Sequence, residues 1–178
     1  MNDKKKIKIL LLILVILVLV IILFVLLFNK KKEYKYEFYN YLTKKQVNYL
    51  EKQPDVYFDN IEISENDNFI IDDNMKINNS SKVKEKHVTK QLEVSNMQIF
   101  MFRHYCIIEF DIKNVSKSDM NKEMYVLTVF NENGENRVKI PFGLDKELKV
   151  GESQKKVIMY LEDVTNIYDY EIKYYKDY

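Results

Sequence analysis

Glycine, proline, cysteine and tryptophan are scarce or missing: three, two, one and none among 178 residues. With only Gly134, Gly143 and Gly151, no glycine-rich loop can cradle a phosphate, and no Gly-x-Gly-x-x-Gly or Walker-type pattern occurs. The lone Cys106 excludes an intrachain disulfide, unlike small secreted modules that are stapled by several. Two imidazoles, His87 and His104, and one thiol are too few for a metal centre built on such ligands. His-Glu-x-x-His and Gly-x-Ser-x-Gly are absent as well. No catalytic, cofactor-binding or metal-binding residue is therefore expected, nor any cofactor or small-molecule substrate.

What is present is Lys, Asn, Ile and Tyr, residues with AT-rich codons, and a formal net charge of +1. That near-neutrality hides a split. Residues 33 to 178 hold 21 basic and 26 acidic groups, a net charge of −5. An acidic body with scattered lysines argues against nucleic acid, which needs a basic patch for affinity.

The first thirty residues are different. The run Ile9-Leu10-Leu11-Leu12-Ile13-Leu14-Val15-Ile16-Leu17-Val18-Leu19-Val20-Ile21-Ile22-Leu23-Phe24-Val25-Leu26-Leu27-Phe28 is unbroken. Coiled as a helix it would be about 30 Å long, the thickness of a bilayer's hydrocarbon core. Insertion would gain roughly 6 to 12 kcal/mol. A helix apolar on every side cannot be wrapped by the chain that remains. A cleavable signal peptide has a shorter apolar core and a small-residue cleavage site; neither is found here, and no cysteine follows to take a lipid. The expectation is one uncleaved transmembrane helix with the lipid bilayer as its partner, and no small-xxx-small pattern for helix pairing.

Lys4, Lys5, Lys6 and Lys8 flank this run on one side, Lys30, Lys31 and Lys32 on the other. The positive-inside rule is thus nearly balanced. The charged α-amino group, and the ease with which long domains translocate, favour a cytoplasmic tail and an extracytoplasmic C-terminal domain. A cytoplasm-facing domain is the opposite reading. The expected layout is a basic tail (1–8), the span (9–28), a juxtamembrane helical or linker segment (29–55) and a β domain (56–178).

Within the juxtamembrane part, Tyr34, Phe38, Tyr41 and Leu42 share one helical face, so Tyr34 to Leu50 reads as a helix ended before Pro54. Alternatively, Tyr34, Tyr36, Tyr39 and Tyr41 form an aromatic belt at headgroup level. Val56 to Ile63 and Phe69 to Ile77 read as extended segments around the polar turn Glu65 to Asn68, and Asn78 to Lys90 as a linker or exposed loop. From Leu92 the two-residue alternation strengthens. Cys106, Ile108, Phe110 and Ile112 share one face of a strand, with Tyr105, Ile107, Glu109, Asp111 and Lys113 on the other. Tyr125 to Asn131 is apolar on both sides, as in a central strand. Asn133-Gly134 turns the chain back into Val138 to Phe142. Lys155 to Leu161 follows, then Tyr168, Tyr170, Ile172 and Tyr174 alternate with charged residues. The fold class is mainly β, an antiparallel β-sandwich behind an N-terminal transmembrane helix.

Particular residues here resemble a known family. Phe110-Asp111-Ile112-Lys113-Asn114-Val115-Ser116 is similar to a strand ending in Asn-x-Ser/Thr. Leu127-Thr128-Val129-Phe130-Asn131 stands where the family has Phe-x-Leu-Tyr-Asp. Leu148-Lys149-Val150-Gly151-Glu152-Ser153 resembles its Leu-x-Pro-Gly-Glu-Ser/Thr turn. Residues 92 to 174 thus resemble the FxLYD immunoglobulin-like domain of anchored proteins from low-GC Gram-positive bacteria, with Leu127, Phe130, Asn131 and Val150 as departures. The resemblance implies an immunoglobulin-like fold, anchored or secreted, and no catalytic residues.

Four features could carry chemistry. His104 and Cys106, two apart, could face the same way as a Cys–His pair, but Cys106 shares its face with Ile108 and Phe110 and reads as core. Asp72-Asp73-Asn74 and Glu65 to Asn68 could offer calcium oxygens but lack the spaced loop. Phe100-Met101-Phe102-Arg103 is either a core strand or a binding edge, with core favoured. Asn114-Val115-Ser116 is a formal glycosylation triplet that also reads as a turn. Together these favour a membrane-anchored, non-enzymatic β-sandwich module for binding or envelope assembly, with an envelope protein as partner. The alternative is a tethered enzyme acting on wall or peptide substrates.

Overall fold

The computed structural model describes residues 14–21, 36–58, 60–72 and 75–175. The chain divides into two compact units, Met1–Tyr36 and Glu37–Tyr178. In the first, residues 14–21 are helical, and every side chain from Leu14 to Ile21 is exposed. The remainder of the expected span Ile9–Phe28, and the lysines flanking it, lie outside the described residues. Among those that are described, no helix is long and apolar enough to cross a membrane.

The second unit is mainly β. In chain order its strands are β1 (Phe69–Asp72), β2 (Met75–Asn78), β3 (His87–Val88), β4 (Leu92–Phe102), β5 (Tyr105–Asn114), β6 (Met124–Phe130), β7 (Asn136–Gly143), β8 (Ser153–Tyr160) and β9 (Asp169–Tyr174). All ladders are antiparallel. The larger sheet runs β1-β2-β4-β5-β8, with β3 also on β4; the smaller runs β7-β6-β9. One core lies between them, as expected of a β-sandwich. Ile99, Cys106, Ile108, Phe110 and Ile112 of the larger sheet meet Tyr125, Leu127, Val129, Phe142 and Ile172 of the smaller. The expected central position of the strand at Tyr125 is found, with β6 between β7 and β9.

Strand β4 owes its phase to a bulge. Ser95 pairs with Asp111 and Gln98 with Glu109, so Asn96 and Met97 together oppose Phe110. Asn96 takes φ 54°, which asparagine tolerates, and its amide donates to Asp111 at 2.7 Å. Before the bulge Leu92 and Val94 face the core; after it Met97, Ile99 and Met101 do. Without the extra residue the second set would face outward.

The outer face of the larger sheet is covered too. Phe100, Phe102, Tyr105 and Ile107 are buried there, although Tyr105 and Ile107 were expected on a half-solvated face. The cover is the chain just after Glu37. A 3-10 helix, Glu37–Tyr41, places Phe38 5.5 Å from Phe100 and 5.3 Å from Phe102, ring to ring. A separate α-helix, Lys44–Glu51, then buries Val47 and Leu50 and brings Tyr49 to 5.7 Å from Tyr105. The single helix expected from Tyr34 to Leu50 is thus two pieces. Thr43 splits them, because it caps the second in a capping box with Gln46. The aromatic-belt alternative fails at Tyr39, which is buried against Phe102, while Tyr34 lies outside the described residues. The folded unit therefore starts at Glu37 rather than at residue 56.

Strands β4 and β5 join through Arg103-His104, a two-residue turn without glycine. Arg103 takes φ 56° there. Its side chain is held by the Leu50 carbonyl and by Asp55, 3.1 Å from Nε.

Residues 56 to 90 depart most from expectation. Described residues of Val56 to Ile63 form no strand. Phe69 to Ile77, expected as one extended segment, is the β1–β2 hairpin. Asn78 to Lys90 is no linker: Asn78 and Ser80 are buried, Ser81–Lys84 makes a helical turn and His87–Val88 pairs with β4. The reason is the β8–β9 loop, residues 161–168, whose carbonyls need donors. Asn78 Nδ2 donates to the carbonyls of Thr165 (2.7 Å) and Ile167 (2.8 Å), and the Ser80 hydroxyl donates to that of Tyr168. Arg137 donates to the carbonyls of Asp163 and Asn166, both at 3.2 Å. Lys76 meets Asp163 at 2.7 Å.

Burial alone would raise the Asp163 carboxyl. Lys76 and the hydroxyl and N–H of Thr165 outweigh it and hold its pKa below the usual value. A folded pKa below the unfolded one stabilises the fold above about pH 4, and that contribution disappears as pH falls through the folded value. Asp163→Asn is expected to cost about 1–2 kcal/mol at neutral pH, the carboxylate being 38 % exposed and partly screened. Urea titrations at a series of pH values should show the wild type losing that advantage below about pH 4 and the variant having none to lose.

Candidate functional site

The inter-sheet gap opens beside the second half of β9. A cleft of about 270 Å³ lies between Glu171-Ile172-Lys173-Tyr174 and the segment Thr89-Lys90-Gln91-Leu92 that leads into β4. Thr89 shapes that segment. Its hydroxyl accepts from the N–H of Leu92 at 3.0 Å and of Gln91 at 3.3 Å, turning the chain back on itself. Leu92, Tyr125 and Ile172 are the buried lining; Lys90 and the Glu171–Lys173 pair, 2.8 Å apart, supply the charge. Tyr125 lies 3.5 Å from Glu123 through its hydroxyl, and burial raises its pKa, so it stays a neutral phenol. Such a cleft can hold an apolar or extended group.

The candidates read from the sequence separate in the structure. Cys106 is fully buried, with its side chain in the inter-sheet core, and burial pushes its thiol up to about 12. His104 is exposed in the β4–β5 turn. The two are not brought together, and a thiol protonated at neutral pH is no nucleophile. Phe100, Met101 and Phe102 are buried, so this stretch is core and not a binding edge.

Asp67 spends its carboxylate on protein donors. One oxygen accepts from the Ser64 N–H and the other from the Asn166 amide, each at 2.8 Å, and the first of these bonds chiefly lowers its pKa. Asp73 and Asn74 lie outside the described residues. Among those described, no three His, Cys, Asp or Glu side chains are grouped to hold a metal ion.

Asn114 is fully buried. Its Nδ2 donates to the carbonyls of Ser118 (2.8 Å) and Leu148 (2.9 Å), and its Oδ1 accepts from the N–H (2.9 Å) and hydroxyl (2.7 Å) of Ser116. The triplet is a structural turn whose amide is closed to modification in the folded protein. Nearby, the N–H of Val150 donates to Asp119 at 2.9 Å, a bond that proline could not make.

One feature had no local signal. The cleft unites residues some eighty positions apart, Lys90 and Lys173, and neither segment carries a recognisable motif.

No family model and no curated protein matches this chain. Among solved structures, it is similar to a DUF1425 family member from Shewanella sp. pv-4, at 14 % identity over 55 % of this chain and 92 % of that one, with a TM-score of 0.32. A superposition that loose carries no argument about function.

Two outcomes are expected. Iodoacetamide should leave Cys106 unmodified in the native protein at mildly alkaline pH and label it fully in concentrated urea, read by intact mass. Asn114→Ala removes one of the two donors to each of the Ser118 and Leu148 carbonyls and the acceptor of the Ser116 N–H, and should lower stability by about 1–3 kcal/mol in urea unfolding. Asn114→Asp should also destabilise, because a carboxylate cannot donate to Ser118 and Leu148.

Proposed function

We propose that this chain is a single-pass membrane-anchored module whose extracytoplasmic β-sandwich binds another envelope component without catalysis. The observation that carries the reading is the twenty-residue apolar run Ile9–Phe28. Eight of its residues are described. They are helical and expose apolar side chains on every side, a surface suited to lipid and costly in water. The folded unit begins nine residues beyond the run, at Glu37. Tethering would act by localisation, raising the effective concentration of the sandwich toward neighbours at the same membrane.

The immunoglobulin-like reading of residues 92 to 174 belongs to the same proposal. Its support, besides the motif residues, is connectivity. β5 pairs with β8 and β6 with β9, each pair joined across the opposite sheet, and β7 flanks β6. Crossed pairings of this kind distinguish immunoglobulin-like sandwiches from simple meanders.

Fractionation tests the anchor. The full-length protein should sediment with membranes, resist alkaline carbonate and be released by detergent. Protease added to intact cells stripped of wall should remove the domain beyond Glu37. Recovery of the intact chain, residues 1–30 included, in a detergent-free high-speed supernatant would overturn the reading. Survival of the domain under protease, followed by its loss on permeabilisation, would place it on the cytoplasmic side.

A further inference from the structure

Residues 33–178 owe their net charge of −5 to one short stretch. From Gln53 to Met75 there are seven acidic residues and no Lys or Arg, whereas residues 33–52 and 76–178 each have a net charge of +1. Within it, β1 (Phe69–Asp72) lies at a sheet edge. β1 pairs with β2 on one side and, among the described residues, has no strand on the other. The turn closed by the Asp67 N–H on the Ser64 carbonyl joins β1 to the run Ile61-Glu62-Ile63. Tyr57, Ile61, Ile63 and Ile70 are exposed, Tyr57 by 69 %. Glu62, Glu65 and Asp72 are exposed and make no described hydrogen bond or ion pair.

The edges at β7, β8 and β9 are protected. β7 carries Pro141 beside Lys139. β8 carries Lys155 and Lys156, with Glu37–Tyr41 beside it. The helical turn Ser81–Lys84 packs against β9. β1 reads Phe-Ile-Ile-Asp, with none of the lysine or proline that natural edges use against unwanted pairing. Unneutralised charge of one sign beside exposed apolar side chains costs the free protein stability and suits a partner of opposite charge.

We infer that β1 and the adjoining acidic stretch are a docking edge for an extended basic segment of a partner protein, one alternating Lys or Arg with apolar residues. Its backbone extends the sheet from β1. Its apolar side chains meet Ile70 and the Ile61–Ile63 run, and its cations meet Glu62, Glu65 and Asp72. Nucleic acid and anionic lipid are repelled by the same charge. The inference deepens the binding-module reading by naming the partner's chemistry.

The test uses the full-length chain in nanodiscs of zwitterionic lipid and a fluorescent Lys-Val repeat peptide of about eight residues. Anisotropy should report binding that weakens about ten-fold or more between about 50 and about 500 mM salt. The variant Glu62→Gln/Glu65→Gln/Asp72→Asn should weaken it by a similar factor, and Glu147→Gln/Glu162→Gln should leave it unchanged. A Lys-Val peptide N-methylated at alternate residues keeps its charge, loses the backbone donors on one edge and should also bind about ten-fold more weakly. Equal binding of a Glu-Val peptide, equal loss in both charge variants, or indifference to N-methylation would overturn the docking edge. So would self-association that the triple variant abolishes, which would make a second copy the occupant. A chain that stays with membranes yet ignores the Lys-Val peptide leaves the tether standing and sinks this inference alone.

Discussion

Strands β4 and β5 are apolar on both faces along their paired upper halves, and this obliges the protein to cover its larger sheet twice. Facing the smaller sheet, Ile99, Met101, Cys106 and Ile108 enter the common core; facing away, Phe100, Phe102, Tyr105 and Ile107 are as thoroughly buried. A sandwich of two sheets answers only the first demand. The second is met by Phe38, Tyr39, Val47 and Leu50, which makes the segment after Glu37 part of the fold. Burying these aromatic and aliphatic groups contributes roughly 1.5–3 kcal/mol each, far more than the local helix propensity of so short a segment could. The bulge at Asn96 serves the same end, rephasing β4 so that both of its halves present apolar residues to the core.

Covering the outer face has an electrostatic consequence. Glu109 points the same way as Ile107 and is almost fully buried, and burial raises its pKa. Lys155 answers it at 3.8 Å and reaches Glu37 at 3.5 Å, so one ammonium links β5, β8 and the 3-10 helix. Burial works against that ammonium, but the two carboxylates more than offset it and its pKa is raised. The packed cover is thus tied to the sheet at its polar margin as well as through Phe38.

At the ends of the sandwich the governing need is different. Apart from the Met120–Leu148 bridge, loops there have no described ladder to satisfy their carbonyls, and buried carbonyls without donors are costly. Asparagine side chains fill this role. Asn114 serves the loops after β5 and before β8, Asn78 serves the loop before β9, and Asn166 bridges to Asp67 and the N–H of Asn68. The abundance of asparagine, at first sight a mark of base composition, has a structural use at these positions. The β1–β2 hairpin is held through the same contacts, which is how an edge strand of four residues keeps its place.

What could be read from the residues alone was whatever depends on neighbours in sequence. The apolar run states its own solvent preference. The phases of β5, β6 and β9 follow from two-residue alternation, and the return after Asn133 follows from Gly134, which takes φ 74°. Cys106 could be assigned to the core because Ile108 and Phe110 share its face. What covers a buried face is another matter, since alternation reports that a side is hidden but never by what. Hence Tyr105 and Ile107 looked half-solvated, the residues after Glu37 looked like a linker or lipid-facing helix, and Asn78 and Ser80 looked like a loop. The partners of Tyr105, Asn78 and Ser80, which are Tyr49, Thr165 and Tyr168, lie some 55 to 90 positions away. The Arg103-His104 turn was equally silent, because its left-handed residue is held by Leu50 and Asp55 instead of being eased by glycine. Local chemistry decided where the chain alternates, bends and avoids water; long-range packing decided which of those surfaces meet.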